Sequence, residues 1–260
     1  MIILIAESKT MQQEEQPVSS SVFESNTPLG EDAADKIIDK YSGLSVTELA
    51  ELTGLSPSLA VKMQKMIYEF RNKALGLEAI KAFTGVVFKA LDFESLGKEA
   101  AERCREEVRI ISSLYGWLRP GDIIKPFRLD FKSKVPVEED KDKTLSQYWR
   151  QDVTIRLVKC LQTNSINEIL NLLPGDASLC IDWKLVKRFA KVWTVDFQEM
   201  KEGGVLKTPN AGRLKTMRGT LLRQILQEDI KDVNTLMHVS SPHYYCEGTP
   251  VYPDRLRFIC

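Results

Sequence analysis

"SLYGWLRPGDIIKPFRLDF", residues 113–131, is the stretch from which the rest of the chain is read. Two arginines, two prolines and four aromatics share nineteen residues with two aspartates, and there is no histidine or cysteine. Pro120 and Pro126 fix φ, so Arg119 and Arg128 stand on stiff turns. Guanidinium forks held beside ring faces suit phosphate oxygens and bases. Trp117 is the best placed ring, because Tyr115 falls on an apolar stripe. The structural alternative pairs Arg119 with Asp122 and Arg128 with Asp130 and sends the rings to the core.

Working outward, the block closes what reads as a helix. Ala101, Cys104, Val108, Ile111, Tyr115 and Leu118 step by three and four residues, and Pro120 and Gly121 stop it. A second helix runs from about Thr144 to Leu161 on Leu145, Trp149, Val153, Leu157 and Leu161. A third spans about Gly212 to Gln227, with Leu214, Met217, Leu221 and Ile225 inward. "MIILIA" reads as a buried strand. "AFTGVVFKALDF" (82–93) has the β-branched and aromatic content of a strand or turn. "AKVWTVDF" and "GGVLKTP" read as a hairpin, and "VNTLMHV" and "RLRFIC" as late strands. Residues 11–30 and "VPVEEDKDK" read as loops, and residues 31–76 as several short helices. The fold class is mixed α/β (α+β), a single domain over 1–260.

Composition narrows the function. Thirty-six basic residues balance thirty-six acidic ones, so no global field draws the protein to nucleic acid or an anionic membrane, and any such binding is local. Five widely spaced cysteines and two histidines offer no metal set, and no cofactor motif is present; the thiols are expected to be reduced. No stretch has the length of a signal peptide's apolar region or a spanning helix, so a cytoplasmic protein without a membrane partner is expected. Lys9-Thr10 follows a strand as in a P-loop, but no GxxxxGK precedes it. "KLVKRFAK" would place Lys184, Lys187, Arg188 and Lys191 on one helix face, best read as solvated.

Residues 48–63, "ELAELTGLSPSLAVKM", carry a second pattern. Gly54 can end one helix at positive φ, Ser56 can cap the next and Pro57 fits its first position. Gly54, Leu55, Ser56 and Pro57 then form the loop of a helix-hairpin-helix element at about 44–70. Such a loop offers amides to a phosphate, and Lys62 and Lys65 could flank it. Any short pair of helices needs the same stop and start signals, and Ser56 stands where such hairpins usually have a second glycine.

These segments together resemble the YaaA family of peroxide-stress proteins over nearly the whole chain. "AESKT" matches "SPAKT" at Lys9 and Thr10, and "AIKAFTGVVFKAL" is close to AIxAFxGDVYxGL. "LYGWLRPGDIIKPFRLDF" follows LYGxLRPxDxxxPYRLEM, "LSQYWRQDVT" follows LYxFWxDxIT, and "RGTLLRQI" supplies an Arg-Gly inside a helix. The resemblance implies a cytosolic protein that limits hydroperoxide damage, with a helix-hairpin-helix, a basic cleft and DNA binding. It also groups Lys9, Thr10, Trp117, Arg119, Arg128 and Arg218 in that cleft. The chain departs from the pattern at Ala6, Glu7, Val86 and Phe88, and "NLLPGDA" lacks a serine and a tyrosine of the family segment. The main functional reading is non-specific DNA binding. The alternative is an enzyme acting on a nucleoside or nucleobase, holding a small phosphorylated molecule in the cleft with Asp122 or Asp176 as the acid. A protein that handles iron or peroxide directly is the weakest reading.

Overall fold

The computed structural model describes residues 1–12, 27–72, 76–136, 143–248 and 253–260. Most of the loops expected at 11–30 and 135–143 lie outside these residues.

Strand β1 (Ile2–Ala6) is the apolar opening run. It pairs in parallel with β3 (Val108–Ser112) on one side and β6 (Glu168–Asn171) on the other. Beyond β6, β7 (Lys191–Met200) and β11 (Arg255–Ile259) continue the parallel array. Antiparallel strands close both margins: β4 (Gly116–Leu118) on β3, then β10 (Tyr244–Cys246) and β9 (Ser240–Ser241) beyond β11. The order among the described residues is β4-β3-β1-β6-β7-β11-β10-β9, with β8 (Leu206–Lys207) paired to β7, and β2 (Leu77–Glu78) and β5 (Ile123–Ile124) form a separate antiparallel pair. Ile2, Ile3, Leu4 and Ile5 are all buried; a central strand covered on both faces has to be apolar throughout.

The first helices stand as expected: α1 (Glu31–Ser42), α2 (Val46–Thr53) and α3 (Pro57–Asn72). Ser45 and Glu48 form a reciprocal capping box at α2, satisfying two orphan amides. The expected stripes of α7 (Leu145–Thr163) and α10 (Ala211–Gln227) also face the core, with Leu214 only partly buried. The β7–β8 hairpin forms, turning on Gly203 and Gly204 at positive φ.

Three expectations are overturned. The helix read through Leu118 ends early: α6 covers Lys98–Glu107, and the chain then becomes β3 and β4. Every residue from Val108 to Leu118 is buried, the polar Arg109, Ser112 and Ser113 included, so the segment has no solvated face to set its period, and apolar residues at helical spacing are equally met by strands buried on both faces. Residues 82–93 are mainly helical, in α4 (Ala79–Ala82) and α5 (Val86–Leu91). α5 packs against α10, and that tertiary contact overrides its β-branched composition. "VNTLMHV" holds the short helix α11 (Val233–Leu236), capped by the Asp232 carboxylate, rather than a strand.

Candidate functional site

β1, β3 and β6 all run toward the same edge of the sheet. Past β1 come Glu7, Ser8, Lys9 and Thr10; past β3 comes Ser113. Past β6, Leu172–Pro174 lead into the one-turn helix α8 (Gly175–Ser178), which carries Asp176. From β1 the chain moves to β3 on one side, then crosses back to β6 on the other. The strand order therefore reverses between β1 and β6, where diverging connections open a crevice in α/β sheets of this kind.

Glu7 lies on the crevice floor. Its N–H still donates to Ile111 O (2.9 Å), which holds it to the sheet ladder. Its Oε2 accepts from Ser112 Oγ (2.7 Å). Among the described residues the buried Ser113 hydroxyl has no partner in strict hydrogen-bond geometry, but its hydroxyl and amide both face the Glu7 carboxyl and, with Ser112, oppose the rise in its pKa. Burial pushes the Glu7 carboxyl up to about 7, Asp130 adds to the rise, and no cation is among the groups acting on it.

At the lip, Lys9 Nζ pairs with Asp130, and Arg128 Nη1 donates to Lys9 O (3.1 Å) while its buried Nε has no partner among the described residues. Burial opposes ionisation of Asp130, yet Lys9 and the Lys132 amide together hold its carboxyl below the usual value. Ser8 Oγ accepts from the Thr10 amide and lies 3.1 Å from the Thr10 hydroxyl. Ser8 packs on Gly85 in the space a side chain would fill. Arg218, on α10, has no hydrogen bond or ion pair among the described residues; burial lowers its pKa and Asp176 is the charge acting on it. Asp176 and Glu7 in turn both act on the buried Cys180 thiol.

The structure brings Lys9, Thr10 and Arg128 together; Arg218 stands on α10, whose Gly219 abuts α5, the helix whose start meets Ser8. Trp117 and Arg119 are not there. Trp117 is 3% exposed, paired opposite Ile111, with the Arg109 guanidinium 5.9 Å from its ring; it has no free face. Arg119 leaves β4 level with the start of β3, because β4 runs antiparallel to it. Asp122 is its neighbour and accepts the Arg119 N–H at 2.8 Å, so this acid is also remote from the crevice. The "KLVKRFAK" face does not form. α9 (Trp183–Val186) ends before Lys187, which pairs with Asp254, and Lys191 opens β7 over the Trp193 ring. Reading Val108–Leu118 as helix hid Ser112 and Ser113 as site residues; the signal available was a Ser-Ser pair directly after an apolar run.

The α2–α3 turn is a separate feature. Gly54 sits at φ 66° and returns its N–H to Ala50 O. Ser56 O accepts from the amides of Leu59 and Ala60, which starts α3. Gly54, Ser56, Pro57, Lys62 and Lys65 are exposed, and Lys65 pairs with Glu69 (3.6 Å) one turn on. The turn is tied to the opening block. Lys134 N donates to Leu52 O (2.8 Å), and the Tyr41 hydroxyl donates to Lys134 O. A small apolar pocket between α3 and Pro126–Leu129 includes the Arg128 stem.

Burial pushes the Cys104 thiol up to about 12 and raises those of Cys180 and Cys246. These three stay protonated at neutral pH, the unreactive form. No helix among the described residues is long and apolar enough to cross a membrane.

An open, mainly parallel sheet whose strand order reverses between β1 and β6, with helices α1–α3 packed in the same domain, defines a single-domain mixed α/β protein. Residues 1–249 match the family model described as peroxide stress protein YaaA. The chain belongs to that family. It is similar to UPF0246 proteins along most of their length. One of Desulforapulum autotrophicum is 31% identical, covering 100% of this chain and 99% of the relative. One of Francisella philomiragia is 27% identical over 94% of each chain. One of Parabacteroides distasonis is 29% identical, covering 91% of this chain and 90% of the relative.

Proposed function

We propose that this protein acts in the cytoplasmic response to hydroperoxide by binding DNA without sequence preference, through the α2–α3 turn as a helix-hairpin-helix and through the cations at the crevice lip. The observation that carries this reading is the turn itself. Gly54 is left-handed and exposed, and the sixteen-residue α3 starts immediately beyond with its N-terminus toward solvent. Amides at a helix start carry partial positive charge and suit a phosphate. Lys62 makes no ion pair among the described residues, and the exposed Lys65–Glu69 pair is weak enough to exchange for a phosphate.

With roughly three to five phosphates neutralised, log K is expected to fall against log salt with a slope of about −3 to −4.5. An affinity flat with salt rejects backbone contact. Ser56→Asp tests the turn. Aspartate caps a helix as well as serine, so α3 survives, but its charge opposes an incoming phosphate. Binding of duplex DNA by fluorescence anisotropy is expected to weaken about fivefold to twentyfold, at roughly 1–2 kcal/mol for one lost charged contact. Unchanged affinity in a variant folded by circular dichroism makes the turn purely structural.

A further inference from the structure

Glu7 and Arg218 make no ion pair among the described residues. Arg218 is partly buried and makes no hydrogen bond among them either. The partly buried Glu7 turns its carboxyl toward Ser112 and Ser113 and accepts a hydrogen bond from the Ser112 hydroxyl. Burying an unmatched guanidinium costs free energy, and an unmatched carboxyl adds to it. Both stand where α5 meets β1 and α10, and Asp176 is the charge acting on Arg218. α10 is held there by Gly219 against α5, whose first turn meets Ser8 through Gly85. An occupant that satisfies both groups must offer an anion to Arg218 and an acceptor to a carboxylic acid.

We propose that this crevice binds a phosphate monoester, with the Arg218 fork gripping two terminal oxygens and the Glu7 carboxyl hydrogen-bonding the third. A monoester has three free oxygens and one ester arm, so it can enter a crevice closed at its floor by β1 and β6. An internal diester has two free oxygens and chain leaving on both sides, which keeps it at the lip with Lys9 and Arg128. Planar bidentate pairing with phosphate is what a guanidinium does best. The protonated carboxyl donates where a carboxylate would repel. The ester arm can belong to a free nucleotide or to the end of a DNA strand. The strand-end source rests on the DNA-binding reading, and the free-nucleotide source does not.

The test has two arms. In the first, adenosine monophosphate is titrated into the full chain by calorimetry. In the second, the affinity of an oligonucleotide phosphorylated at its end is compared with that of the unphosphorylated strand. Binding in the first arm, or a preference for the phosphorylated end in the second, is expected to drop by about tenfold or more in Arg218→Gln. Arg218→Lys keeps the charge without the fork, so an intermediate loss is expected there. Glu7→Gln, which retains a donor, should stay within about threefold of the parent, while Glu7→Leu should lose binding as Arg218→Gln does. Response in the first arm alone identifies a free nucleotide, and response in the second alone identifies a strand end. No response in either arm, or a response indifferent to both arginine variants when they remain folded, overturns the proposal. Nucleotide binding without any affinity for unphosphorylated duplex leaves this proposal standing and rejects the DNA-binding function instead.

Discussion

Glu7→Gln is expected to make the protein more stable at pH 8 and nearly unchanged at pH 4. The Glu7 carboxyl is held at about 7 in the folded protein against an ordinary 4.5, chiefly by burial. The folded state therefore binds this proton more tightly than the unfolded chain does. Its contribution is fully present below pH 4.5 and is lost as pH rises through 7. Above both values the ionised group costs about 3 kcal/mol. Glutamine fills the same space, can still accept from Ser112, and carries no charge to desolvate. Urea titrations of parent and variant at intervals from pH 4 to 8 check this. The curves should diverge between pH 4.5 and 7 and run parallel above. Parallel behaviour across the whole range means that the carboxyl is solvated in the folded protein, and the phosphate proposal loses its floor. A group that stores this much free energy in a crevice is also the kind of group that ligand sites use.

Gly219→Ala is expected to destabilise despite improving helix propensity. In the middle of α10, alanine for glycine ordinarily gains about 1 kcal/mol. Here the added Cβ would lie 2.7 Å from Ala90 Cβ and 3.0 Å from the Val87 carbonyl carbon, with the Val87 oxygen closer still. Backbone cannot rotate aside as a side chain can, so α5 and α10 must separate. Overpacking of this sort costs about 1–3 kcal/mol, at the upper end when backbone is the obstacle. The net loss should be about 2 kcal/mol, or roughly 4–8 °C in Tm for a chain of this size. Gly97→Ala is the control: a Cβ there meets nothing within 4 Å, and a glycine N-cap gives way to alanine at a small cost. Equal Tm values for the two variants would show that the α5–α10 contact is loose. Because Arg218 precedes Gly219, the variant should also weaken anion binding in the crevice.

The elements legible in the sequence were those whose pattern is set locally. β1 is an unbroken apolar run. α7 and α10 alternate a core stripe with a solvated face, and the α2–α3 turn is written in Gly54, Ser56 and Pro57. In each, one face meets water or one residue type meets a backbone requirement, so the period or the residue shows. The family pattern was equally legible, since it lies in residue identities. The misreadings fell where both faces are buried. From Val108 to Leu118 there is no polar face to mark the period, so helix and strand predict the same residues. At 82–93 the β-branched residues were outweighed by packing on α10.

The class of fold, most of the elements, the helical turn and the family are written in local residue patterns. Lys9, Thr10, Arg128 and Arg218 are legible there too, whereas Ser112, Ser113 and the role of Glu7 emerge only once the strands are assembled. Arg119 and Arg128 are nine residues apart on stiff turns, yet the antiparallel β4 carries Arg119 away from the crevice while Arg128 returns to Lys9. Glu7 and Arg218 are far apart in the chain, yet α5 stands between them: its start meets Ser8 at Gly85, and Gly219 lets α10 approach Val87. Local patterns encode which face of an element is dry. Which dry faces come together depends on strand order, direction and close approach, and those are properties of the assembled sheet.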